Sequence, residues 1–135
     1  MTPEPRAPIE ILVNAMLRSA IKKQATHLRV VPTPTGGSVQ FWIEGAWNEE
    51  LTPPPEIYTP IVRRLGVMIG VLPPPIGKPW FGSLCLQIGE RRQHFLIAID
   101  RDEDTLHALI ELVDEAGGTS RTQPRPPSPH PYRSS

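Results

Sequence analysis

Residues 28–51, LRVVPTPTGGSVQFWIEGAWNEEL, decide the fold. The run 28–31 favours a strand and is stopped by Pro32, and Thr33-Pro34-Thr35-Gly36-Gly37 follows as a loop with two residues free to take positive φ. In 38–43, Val39, Phe41 and Ile43 alternate with Gln40 and Trp42, the period-two pattern of a strand with one face inward. Glu44-Gly45 makes a tight turn, and 47–51 return as a short third strand. These pieces predict an antiparallel meander that brings Trp42 close to Trp47.

Working outward, Ile9, Leu12, Val13, Met16, Leu17, Ala20 and Ile21 recur at spacings of three and four, so a helix precedes the meander. Residues 1–8 hold Pro3, Pro5 and Pro8 and read as an extended leader. After the meander, Pro53-Pro54-Pro55 resets the chain direction, and a second helix is expected over about 56–69. Pro60 favours a break there, with 56–59 as a separate turn. Pro73-Pro74-Pro75 leads into a loop over 76–81, and Gly82 opens a hairpin. Leu84, Leu86 and Ile88 lie on one strand of it, and Phe95, Ile97 and Ile99 on the other, joined by Gly89-Glu90. That turn sets Ile88 opposite Arg91 and Cys85 opposite His94. Leu106, Leu109, Ile110 and Val113 predict a third helix, ended by Gly117-Gly118. Residues 119–135, with five prolines, four serines and three arginines and no acid, read as disordered. The expected organisation is leader 1–8, folded domain 9–118 and tail 119–135. Its class is α+β, a mostly antiparallel sheet with helices in the order α-β-β-β-α-β-β-α.

The 135 residues carry 14 basic and 14 acidic groups, and the three tail arginines leave 1–118 with a formal charge of −3. A neutral to acidic domain is a poor match for nucleic acid, although Arg63-Arg64 and Arg91-Arg92 beside tryptophans could in principle stack and bind phosphate. A lone Cys85 excludes an internal disulfide framework and a cysteine-based zinc site. No apolar run is long enough to span a membrane, and the N-terminus lacks the order of a secretory signal, so a cytoplasmic protein without membrane insertion is expected.

Catalytic chemistry finds little footing. The segment 70–79, GVLPPPIGKP, has the wrong glycine spacing for a phosphate loop, three prolines where N–H donors are needed, and Pro79 in place of the hydroxyl residue. His27, His94, His107 and His130 are scattered. His107, with Asp104 and Glu111 on the expected third helix, reads as a solvated ion pair rather than a metal site. Cys85 and His94 lack a third group and an oxyanion hole. Glu44, Glu49 and Glu50 read as solvated edge charge. No cofactor, metal or catalytic residue is expected.

An ordered series of segments resembles the N-terminal, PAS-like domain of type II secretion and type IV pilus assembly ATPases. It consists of the helix 12–25, the run Gln24-Ala25-Thr26-His27-Leu28-Arg29-Val30-Val31-Pro32, the turn Trp42-Ile43-Glu44-Gly45, the helix segment Arg64-Leu65-Gly66-Val67-Met68 and the loop Lys78-Pro79-Trp80-Phe81-Gly82-Ser83. The resemblance covers about 9–99. In that family the domain precedes a RecA-like motor; here a tail follows instead, so a stand-alone domain is expected. Trp42 and Ser83 stand where arginines are usual, and Trp80-Phe81 replace Gln-Asp. The resemblance, with those replacements, implies a non-catalytic interaction or regulatory module whose protein partner is either a secretion or pilus motor component or the chain itself. Trp80 and Phe81 are the expected anchors, with Lys78, Trp42, Trp47 and Arg64 as further contacts. Alternatives are a dimer like the type III secretion chaperones and a small-ligand or nucleotide sensor.

Overall fold

A computed structural model describes residues 6–70, 79–102 and 105–113. The elements run α1 (Arg6–Lys22), β1 (His27–Thr33), β2 (Gly36–Ile43), β3 (Ala46–Leu51), α2 (Pro55–Met68), β4 (Trp80–Ile88), β5 (Arg91–Asp102) and β6 (Thr105–Val113). The strands form one six-stranded sheet in the order β3-β2-β1-β6-β5-β4. Every neighbouring pair is antiparallel.

The expected meander is present, with Leu28 opposite Phe41, Val30 opposite Val39, and Trp42 opposite Trp47. The hairpin register also holds: Ile88 pairs with Arg91, and Cys85 with His94.

The α+β class and the antiparallel sheet stand, but the last element is corrected. Residues 105–113 form β6, not a third helix. Leu106, Leu109, Ile110 and Val113 fit a helical stripe, yet Leu106, Ala108, Ile110 and Leu112 also alternate, and it is these four that enter the core. β6 lies between β1 and β5, so it satisfies backbone groups on both flanking strands. That gain outweighs the helical preference of Leu and Ala.

Several boundaries also move. β1 is not stopped by Pro32 but runs to Thr33, and β2 begins at Gly36, so the expected 33–37 loop shortens to a two-residue turn. α1 starts at Arg6, inside the expected leader, with Pro8 early enough for its missing N–H to cost nothing. α2 is continuous from Pro55 through Pro60, so the expected separate turn is absent. Trp80 and Phe81 open β4 rather than ending a loop. The expected tail, and residues 71–78 of the second proline-rich loop, lie outside the described residues.

Both helices pack on one face of the sheet. α1 contributes Val13, Met16, Leu17 and Ala20; α2 contributes Tyr58, Ile61, Val62 and Leu65. They close over Leu28, Val30, Phe41, Phe95, Ile97, Ile99 and Ile110 in one core. Two glycines permit close approach. A Cβ on Gly37 would stand 2.1 Å from the Tyr58 ring, and one on Gly82 would stand 2.6 Å from Ile69 Cβ. The Gly37 N–H also donates to the Pro53 carbonyl at 3.0 Å, fixing the first proline run against the β1–β2 turn.

Candidate functional site

The expected contact residues separate into three places. Trp80 and Phe81 begin β4, at one edge of the sheet. Adjacent strand residues face opposite ways. Trp80, across from Ile99, sits on the helix side, and Phe81, across from Ala98, sits on the second face. Their relative exposures are 37% and 73%, so both large rings meet solvent at one corner of the sheet. Leu96, 44% exposed on β5, extends the apolar surface on the second face.

Trp42 and Trp47 lie at the other side of the sheet, on β2 and β3. Their ring centroids are 5.1 Å apart with planes at 69°, an edge-to-face pair. Trp42 is buried, and the Arg29 guanidinium carbon lies 4.2 Å from the centroid of the Trp47 ring. Burial lowers the Arg29 pKa from its ordinary value. Arg29 Nε donates to Gln40 Oε1 at 2.7 Å, Gln40 Nε2 to Ser38 Oγ at 2.9 Å, and Ser38 Oγ to Glu49 Oε2 at 2.6 Å. Glu49 is thus tied into a network as well as meeting solvent, and Glu50 accepts from Lys23 Nζ. Trp47 sits five strand spacings from Phe81, roughly 24 Å at about 4.8 Å each. The two tryptophans brace one another and do not join Trp80 and Phe81 in a single contact surface.

Arg64 belongs to the helix layer, where its Nη1 lies 3.7 Å from Glu10 Oε2 and links α2 to α1. Lys78 falls outside the described residues.

β6 also rearranges the histidines. His107 is not beside Glu111 on a helix; it lies across from Asp100 on β5, with Nε2 3.4 Å from Oδ2 and both side chains buried. Glu111 instead faces His27, Nε2 to Oε2 at 3.9 Å. The His107–Asp100 pair was hidden from sequence by the helical reading of 105–113. Among the described residues no cluster of three or more His, Cys, Asp or Glu is placed to hold a metal ion. None of the described helices is long and apolar enough to cross a membrane.

Among the described residues, the two exposed large aromatics both stand on the β4 edge. Its nine residues, WFGSLCLQI, contain no charge and no proline, and they pair with β5 without a register break. The opposite edge, β3, is shorter, carries Glu49 and Glu50, and borders a bulge between Val39 and Gln40. Short length, charge and bulges are the usual devices that keep an edge strand from pairing. β3 has all three; β4 has none. The class that this sheet defines is an α+β domain with one guarded edge strand, β3, and one uncharged edge strand, β4.

No family model matches the chain. It is 33% identical over 112 residues to the type II secretion system ATPase E of Vibrio cholerae, which covers 83% of this chain and 22% of that protein. It is 26% identical over 123 residues to the type II secretion system protein E of Pseudomonas aeruginosa, covering 91% and 24%. A shorter match, 39% over 62 residues, joins it to the type IV pilus assembly ATPase PilB of Myxococcus xanthus, covering 46% and 11%. The chain is thus similar to the N-terminal region of the type II secretion and type IV pilus assembly ATPases. It spans about a quarter or less of the length of these relatives.

Proposed function

We propose that this chain is a non-catalytic protein-docking module of a bacterial type II secretion or type IV pilus assembly, working in the cytoplasm with the β4 edge as its contact surface. The observation that carries the reading is the pairing of an uncharged edge strand with two large exposed aromatics at its start, Trp80 and Phe81. Aromatic side chains have few rotatable bonds, so they bury large area on binding for little entropy. The strand beneath offers main-chain donors and acceptors at fixed spacing. In this reading the ATP hydrolysis named for the relatives belongs to the rest of those proteins, and this domain supplies attachment.

The test is capture from the native cell, with a differently tagged second copy of the chain present. The bait is either wild type or the double variant Trp80→Ala/Phe81→Ala. The expected result is capture of a secretion or pilus component, or of the second copy, by wild type, with loss from the variant. An identical captured set with both baits would contradict the surface.

A further inference from the structure

We infer that the partner of β4 is β4 of a second copy, paired antiparallel about a two-fold axis at Leu84, so that two sheets become one continuous sheet. The inference deepens the docking reading and rests on it, since it names the partner of that same edge.

Leu84 is the midpoint of Trp80–Ile88, and a two-fold there is the register in which all nine residues find a partner. On the helix side it sets Trp80 opposite Ile88, Gly82 opposite Leu86, and Leu84 opposite itself. On the second face it sets Phe81 opposite Gln87, and Ser83 opposite Cys85. No charge meets a like charge, because the strand has none. Each exposed aromatic gains a neighbour: Trp80 gains an aliphatic side chain, and Phe81 gains the methylene stem of Gln87. The contact is isologous, so it closes at two copies. Pairing of β4 with β3 of another copy would be heterologous and would leave a free edge at each end. It would also bring Glu49 and Glu50 onto an apolar strand. Residues 119–135 of the same chain are no substitute. Their prolines at 124, 126, 127, 129 and 131 remove the N–H groups that a ladder needs.

The full chain is tested by light scattering across a concentration series, and by oxidation with diamide, which removes two electrons and two protons from a thiol pair. Wild type is expected to move toward twice the 15.0 kDa mass of one chain as concentration rises. Ser83→Lys, at an exposed position, is expected to weaken self-association at least about tenfold, with an unchanged melting temperature in dilute solution showing that the fold is intact. Ser83→Cys places a new thiol opposite the partner's Cys85, so it is expected to form a covalent dimer where wild type does not. A strictly monomeric chain that binds another component through Trp80 and Phe81 would overturn the self-pairing and leave the docking reading standing. Dimerisation indifferent to Ser83→Lys would overturn the pairing at β4. Covalent dimerisation of wild type through Cys85 alone would overturn the Leu84 register.

Discussion

The hydroxyl of Tyr58 on α2 donates to the backbone carbonyl of Leu106 on β6, and the Val30 carbonyl of β1 lies 3.4 Å from the same oxygen. One buried side chain therefore ties the helix layer to the two central strands. Tyr58→Phe leaves the Leu106 carbonyl without that donor inside the core. The expected loss is about 1–2 kcal/mol, read from urea denaturation.

The same residue sets an alkaline limit. Burial raises the Tyr58 pKa well above its ordinary value of 10.0. Above that pH the unfolded chain releases the phenolic proton and the native chain holds it, so unfolding is favoured increasingly as pH rises. Below pH 10 this contribution is fully present. Stability profiles of wild type and Tyr58→Phe should run parallel below that pH and converge above it.

Gly37→Ala tests the other side of the Tyr58 ring. The added methyl would lie 2.1 Å from Tyr58 Cδ1, so the ring or the β1–β2 turn must move. Overpacking of this kind costs about 1–3 kcal/mol, and the loss should shrink when Tyr58→Ala is combined with it. Thermal denaturation of the single and double variants reads this coupling.

Trp47→Ala separates bracing from docking. It removes the edge-to-face partner of Trp42 and the ring beneath Arg29, a loss of about 1–3 kcal/mol. Self-association and partner capture, measured below the melting temperature, should be unchanged because Trp47 stands at the far edge from β4.

The parts of the fold that were legible share one property: each has a single local solution. Val39, Phe41 and Ile43 alternate between turn signals, and Gly89-Glu90 fixes a hairpin whose register follows by counting. Residues 105–113 were illegible because their apolar positions fit both a helix and a strand. The deciding factor was the vacancy between β1 and β5, which local sequence does not reveal. Trp80 and Phe81 stood out because they follow a proline-rich loop and replace the Gln-Asp that the resembling family carries there. Their place on an edge strand, facing opposite ways, needed the strand order. Trp42, Trp47 and Arg64 looked like surface candidates because a sequence does not show that Trp42 is covered or that Arg64 faces Glu10.

Hydrogen exchange of the β4 backbone amides, followed over a concentration series of the full chain, tests the central claim most directly. The amides directed away from β5 should exchange quickly in dilute solution and become protected as copies pair, while those bonded to β5 stay protected throughout. Exchange in β4 that is the same at every concentration would contradict the account.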